Sequence, residues 1–253
     1  NKEMSNVVLS IDGRKEVNDN IRKRVDGSGC YDVILPKFKK LVEKRGDKEY
    51  YVRGTFTKHN LDFSEDVFSL YNEGFDQISV EPVVCEPEAP YALTEKELSA
   101  IFSEYERLSA RILENEKHGG KFNFFHFMLD LDQGPCAIKR LRGCGCGNEY
   151  VAITPDGDIY PCHQFVGLEE YKMGNLDEGT FNLDMKAEFA ESHVYTKPEC
   201  KKCWAKFYCS GGCMANSYKF HNTIHDTYEV SCEMERKRVE CAIMIKAALA
   251  DEE

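Results

Sequence analysis

Residues 200–213, CKKCWAKFYCSGGC, place four cysteines within fourteen positions. Thiols at that density bind metal, form disulfides or carry redox chemistry, so they limit what the surrounding chain can fold into. The chain has twelve cysteines in 253 residues, and ten of them lie between Cys136 and Cys241. No apolar segment of secretory type opens the sequence. A disulfide framework is therefore the weaker reading, and a reducing, cytoplasmic setting is expected. Cys200 and Cys203 form a C-x2-C knuckle, in which two intervening residues let a tight turn aim both thiols at one centre. Cys209 and Cys213 follow, with Gly211-Gly212 giving the backbone freedom to turn closely around a bulky ligand. Soft thiolates suit zinc or iron–sulfur clusters. A zinc ribbon normally pairs two knuckles and this chain has one, so spacing alone leaves zinc and iron–sulfur equally open.

The neighbouring segments add further thiols. EYVAITPDGDIYPC (149–162) is a hairpin signal, two β-prone runs around Pro155-Asp156-Gly157. It brings Cys144 and Cys162 to one end. Cys232 opens a C-terminal helix. The net charge of −11 disfavours nucleic acid as a partner, and no apolar run is long enough for a membrane span.

The first half reads differently. NVVLSIDG (6–13), YYVRGTFT (50–57) and QISVEPVV (77–84) are strands, separated by helical patterns over 35–46 and 64–75. Strands alternating with helices imply a parallel α/β sheet, whose ligands sit at the carboxyl ends of the strands. Ser10 and Asp12 lie at such an end, although both residue types also terminate strands for ordinary turn reasons. Thr94 and Glu97 form a capping box for a helix running to about His118, ended by Gly119-Gly120. FNFFHFMLDL (122–131) is expected to be a buried helix with His126 packed among aromatics. A boundary near 120–135 divides the chain into 1–130 and 131–253.

The cysteine string resembles the seven-cysteine signature of SPASM domains in radical SAM enzymes. It runs Cys144, twelve residues, Gly157-x4-Cys162, then Cys200-x2-Cys203-x5-Cys209-x3-Cys213, then eighteen residues and Cys232. The wording GNEYVAITPDGDIYPCHQFVG is most similar to maturases of six-cysteine (SCIFF) peptides, which install thioether crosslinks. SIDG, Arg22 and VRGTFT resemble the fourth and fifth strands of the radical SAM partial (β/α)6 barrel. The implied fold is the C-terminal part of that barrel followed by a small cysteine-rich α+β SPASM domain. The resemblance implies two auxiliary 4Fe-4S clusters. Cys144, Cys162 and Cys213 would hold the first, and Cys200, Cys203, Cys209 and Cys232 the second. The fourth ligand of the first is left open among Cys136, Cys146 and a substrate thiolate. Ser10 and Arg22 would hold the carboxylate of S-adenosylmethionine, with Arg53 a weaker alternative and a solvated helix-start cation the plain reading of Arg22. Cys30, Cys85 and Cys241 read as packing thiols.

The chain also departs from that family. No C-x3-C-x2-C motif for the SAM-cleaving cluster occurs in it, and the chain begins at Asn1 on what resembles the fourth strand. It is expected to be the C-terminal part of a maturase, inactive alone, whose parent also holds S-adenosylmethionine and a third 4Fe-4S cluster. The edge strand at 6–12 calls for the N-terminal half of the barrel as partner. The other expected partners are a cysteine-rich substrate peptide and an electron donor. His163 follows Cys162, where some SPASM oxidases resemble one another in carrying an acidic base. That argues against a sulfatase-maturing role. The alternatives are another SPASM activity, sulfatase maturation or oxidation of a cofactor-precursor peptide, and a zinc-binding structural or interaction module.

Overall fold

The computed structural model describes residues 1–129, 131 and 141–250. It divides into two compact units. The first holds Asn1–Val83, Pro90–Leu129 and the chain from Lys237; the second holds Val84–Ala89 and Asp130–Arg236. The last part of the C-terminal helix thus groups with the first unit, where the sequence reading had kept 131–253 together.

The first unit carries β1 (Val7–Ser10), α1 (Lys15–Ile21), α2 (Tyr31–Arg45), β2 (Tyr50–Phe56), α3 (Phe63–Asn72), β3 (Gln77–Pro82), α4 (Leu98–Lys117) and β4 (Asn123–Phe124). The strands form one parallel sheet in the order β1-β2-β3-β4. Register pairs Leu9 with Val52, Val52 with Ile78, and Ile78 with Phe124. These four side chains are buried with Val67, Leu70, Ile101 and Leu108 from the covering helices. Strand alternation sends the next residues to the opposite face, so Ser10, Arg53 and Ser79 align in a polar row. The capping box is formed, with Thr94 and Glu97 bonded reciprocally ahead of α4.

Three features differ from the sequence reading. The described residues of 122–131 do not form an α-helix: Asn123 and Phe124 pair with β3 and residues 125–127 make a single 3-10 turn. The open edge of β3 offers backbone partners, and Phe122 and Phe124 alternate inward as strand residues do. Helix α1 has almost no apolar stripe to announce it. It is held instead by Asn18, which is buried and accepts from the Asp12 N–H at 3.3 Å. Helix α2 also starts at Tyr31, ahead of the expected Leu35, and runs through Pro36.

The second unit holds four very short strands, β5 (Ala152–Ile153), β6 (Asp158–Tyr160), β7 (Gly174–Asn175) and β8 (Thr180–Phe181), in one antiparallel sheet of that order. Helices α5 (Leu183–Glu191), α6 (Pro198–Lys202), α7 (Lys206–Cys209) and α8 (Met214–His221) follow. Helix α9 (Glu229–Ala250) begins in this unit and continues into the first. The expected hairpin is present, its turn closed by the Gly157 N–H to Thr154 O at 3.0 Å. Its core is small: Tyr160, Phe165, Phe189, Met214 and Ile224, together with Cys146 and Cys162.

The stability of the first unit should centre on Phe56. Its ring is fully buried, stacks on Phe63 at 4.3 Å and meets the Tyr105 edge at 6.4 Å. Phe56→Ala is expected to cost about 3–5 kcal/mol, as other buried Phe-to-Ala changes do. The urea midpoint followed by tyrosine fluorescence measures it, and a loss below about 1 kcal/mol would remove this cluster from the core.

Candidate metal centres

Four of the expected ligands surround one cavity. Pro198 opens α6, a position where its missing N–H costs nothing, and the turn carries Cys200. The Cys203 N–H closes back on Cys200 O at 3.1 Å, so the knuckle is tight. Cys209 ends α7, and Cys232 sits in the first turn of α9. Cys200, Cys203, Cys209 and Cys232 line a cavity of about 400 Å³, with Trp204 and Arg236 at its wall. Burial pushes the Cys200 thiol up to about 11 and that of Cys209 up to about 12, and it raises Cys232. Thiolate is the ligand form, so cluster binding here must expel protons. Arg236, four residues after Cys232, donates to the Cys203 sulfur. Among the described residues no three Cys, His, Asp or Glu side chains form a single-ion site. Four soft donors around a volume of this size suit a polynuclear iron–sulfur cluster.

The chain then turns sharply. Ser210, Gly211 and Gly212 have φ of 62°, 94° and 72°, three consecutive left-handed residues that only glycine adopts without strain. This reversal separates Cys209 from Cys213, only four positions on. The Gly211 N–H turns back to the Cys209 sulfur, while Cys213 accepts from the N–H groups of Ala215 and Asn216 at the start of α8.

Cys213 lies instead within electrostatic reach of Cys144 and Cys162. Cys146 lies within electrostatic reach of both. Hydrogen bonding to Cys146 is the main influence lowering Cys144 and Cys162, and sharing a proton with two neighbours raises Cys146 itself. The Cys146 sulfur is buried, 3.7 Å from Met214 Sδ. Cys144, Cys146, Cys162 and Cys213 therefore form a second thiol group, with Cys146 and Cys162 in the apolar core of this unit and Cys144 and Cys213 at its exposed edge. Cys136 lies outside the described residues. His163 follows Cys162 in a 3-10 turn, its Nε2 3.3 Å from Gln164 Nε2.

The candidate SAM-carboxylate residues are placed less simply. Ser10 is exposed on the polar face of β1, whereas Asp12, two residues on, is wholly buried. The chain there crosses so close to β2 that a Cβ on Gly54 would lie 2.9 Å from Ile11 O. Asp12 accepts the Thr55 N–H at 2.9 Å and takes the fork of Arg22, Nε to Oδ2 at 2.6 Å and Nη2 to Oδ1 at 3.0 Å. Arg22 is thus engaged by a carboxylate of its own chain, neither a free cation nor an empty fork. Arg53 pairs with Glu81. His126 is hydrogen-bonded at both nitrogens: Nδ1 accepts from Arg238 Nη1 at 2.7 Å, which leaves Nε2–H facing Ser79 Oγ at 3.4 Å. Burial and the neighbouring Arg238 and Arg53 hold it well below the usual histidine range, so it stays neutral. Of the presumed packing thiols, Cys85 and Cys241 are buried and Cys30 is half-buried, accepting from Asn18 Nδ2 at 3.4 Å.

A four-stranded parallel α/β sheet and a second unit with two thiol groups define a class, and comparison with known proteins narrows it. Residues 144–204 match the SPASM family, described as an iron-sulfur cluster-binding domain. The cysteine-type anaerobic sulfatase-maturating enzyme of Clostridium novyi (strain NT) is 26% identical over 241 residues, covering 90% of this chain and 62% of that protein. That of Clostridium perfringens (strain 13 / Type A) is 37% identical over 85 residues, 30% of this chain and 22% of that protein. The solved structure of native anSMEcpe with bound AdoMet superposes with a TM-score of 0.73 at 19% identity, covering 98% of this chain and 69% of that one. Native anSMEcpe with bound AdoMet and Kp18Cys peptide gives 0.70 at 18% identity, over 98% and 70%. The chain therefore carries a SPASM domain, shares the fold of that solved enzyme and is homologous to anaerobic sulfatase-maturating radical SAM enzymes. It spans 62% of the length of the Clostridium novyi relative.

Removing Arg22 should report on its internal role. Arg22→Ala leaves the Asp12 carboxylate buried with one backbone donor, and is expected to destabilise the first unit by about 2–3 kcal/mol. That is below the cost of breaking a fully buried pair, because Arg22 is partly solvated. Unchanged resistance to urea would mean that Arg22 serves only an external ligand.

Proposed function

We propose that this chain is the auxiliary-cluster portion of a radical SAM peptide maturase acting on a cysteine-containing peptide. The observation that carries the reading is the convergence of eight thiols into two groups, one around the Cys200–Cys232 cavity and one around Cys146. Cys200, Cys203, Cys209 and Cys232 hold one 4Fe-4S cluster. Cys144, Cys162 and Cys213 hold the other, and Cys146 is the fourth ligand that the geometry of the described residues favours. When bound, S-adenosylmethionine and its own cluster supply a 5′-deoxyadenosyl radical that takes a hydrogen atom from a peptide carbon. The chain's own part is to present the peptide beside the auxiliary sites and to receive the electron released when the carbon bonds to a cysteine sulfur, the thiol proton leaving to solvent. The peptide thus loses two hydrogens and keeps its sulfur. Ser10, on the polar face of the sheet, contributes to the SAM carboxylate site; Arg22 shapes it through Asp12.

A second reading, oxidation of a sulfatase cysteine, is supported equally by the similarity to sulfatase-maturating enzymes. What favours the thioether reading is His163, an imidazole where the resemblance to SPASM oxidases leads one to expect a carboxylate. The products separate the two, since a thioether retains sulfur and resists alkylation, whereas cysteine oxidation to an aldehyde loses it.

Anaerobic reconstitution of the chain should give iron and sulfide for two clusters, and Cys146→Ser should reduce iron while sparing the Cys200–Cys232 site. An iron count fitting one cluster in the unaltered chain would refute the two-cluster assignment, and unchanged iron in the variant would return the fourth ligand to Cys136 or the substrate.

The chain lacks the three-cysteine SAM motif, and a carboxylate held by exposed side chains alone gains only about 1 kcal/mol. With dithionite and S-adenosylmethionine the chain alone should form no 5′-deoxyadenosine. Supplying an N-terminal half-barrel that carries the motif should restore it, and peptide mass spectrometry then identifies the product. Clear 5′-deoxyadenosine from the chain alone would show that one of the two thiol groups holds the SAM-cleaving cluster.

A further inference from the structure

The second unit contains a buried cation that the cluster assignment does not use. Lys197 is 1% exposed, among the largest fully buried side chains of the protein. Its position explains the burial only in part: it caps the start of α6, and its Nζ donates to Gly211 O at 3.1 Å, inside the left-handed run that separates the two thiol groups. One carbonyl is a poor partner for a desolvated ammonium, which has three donors to satisfy. No carboxylate is in ion-pair contact with it among the described residues. Gly211 stands two residues from both Cys209 and Cys213, and the thiols whose ionisation would offset the burial that lowers the proton affinity of Lys197 are Cys200, Cys209, Cys213 and Cys232. Cys213 belongs to the group around Cys146 and the other three to the Cys200–Cys232 cavity, so the ammonium lies within the field of both.

An ammonium sealed among neutral thiols is costly, whereas one among thiolates is compensated. Each one-electron reduction of a cluster adds negative charge to its site, and a fixed cation in a low-dielectric interior stabilises the more negative form. Resting on the two-cluster reading above, we propose that Lys197 is the shared buried counter-charge of both auxiliary sites and raises the reduction potential of each. It would thereby make them better acceptors of the electron that peptide oxidation releases. Arg236 acts on one side only, through Cys203, and is partly solvated. Lys197 addresses ligands of both groups.

Three variants of the reconstituted chain test this by redox titration with dithionite, followed by electron paramagnetic resonance. Lys197→Gln keeps a donor for Gly211 O but removes the charge, Lys197→Met removes both, and Lys197→Arg keeps the charge. The Gln and Met variants should show about a tenfold lower ratio of reduced to oxidised cluster at a fixed potential, roughly 59 mV for a one-electron couple, at both sites. Lys197→Arg should stay near the unaltered chain. Loss of clusters from the Gln and Met variants, with retention in the Arg variant, would equally support a required charge. Unaltered potentials in a cluster-loaded Gln variant, or cluster loss from the Arg variant too, would overturn the proposal. The iron and sulfide content of the unaltered chain is read separately, so failure of the two-cluster reading is distinguishable from failure of the role given to Lys197.

Discussion

Thiols inside a core too small to support itself are the constraint on which the second unit depends. Its strands are two or three residues long, its apolar cluster is small, and two cysteines are members of that cluster. Such a unit has little hydrophobic burial to set against the entropy of ordering its loops. Ligand bonds between distant segments can provide what the apolar core does not, as structural metals do in small modules. The Ser210–Gly212 reversal is the joint of this arrangement: it sends Cys209 to one thiol group and Cys213 to the other and fixes the two groups side by side.

Much of this was legible in the sequence, because ligand spacing is a local property. A knuckle, a hairpin turn and a Gly-Gly reversal are written in adjacent residues, whereas the division of the seven cysteines into two groups was implied by the resemblance and not by their spacing. The strands β1 to β3 were equally plain from their β-branched and aromatic content. What escaped was decided by partners remote in sequence. Residues 122–131 carry a pattern that a helix could bury, and only the free edge of β3 makes Asn123 and Phe124 a strand. Lys197 gives no signal beside a proline, since nothing local says that four thiols will enclose it. In the sequence Cys146 is one of three candidates for a fourth ligand, and only the approach of Cys144 and Cys162 favours it. Arg236 could have been found: it sits one helical turn beyond Cys232.

The first unit shows a different economy. Its polar row of Ser10, Arg53 and Ser79 lies on one side of the sheet, while the acid of the SIDG motif turns inward to tie β2 and α1 together. Asp12 is thus architectural, and it sets where Ser10 and Arg22 stand. His126 follows the same logic. Fixed as a neutral imidazole by Arg238, it presents a donor at Ser79, on the polar row.

The two thiol groups also differ in chemical vulnerability. Burial keeps Cys200 and Cys209 protonated and therefore weakly nucleophilic. Cys144 is exposed, and Cys146 lowers its affinity for a proton as it does that of Cys162. A freshly made chain that has not yet met iron is thus guarded on one side and open on the other. Since thiolate character and access govern attack, an alkylating or oxidising reagent would enter at Cys144 first, and the order of modification would trace which group needs protection until its iron arrives.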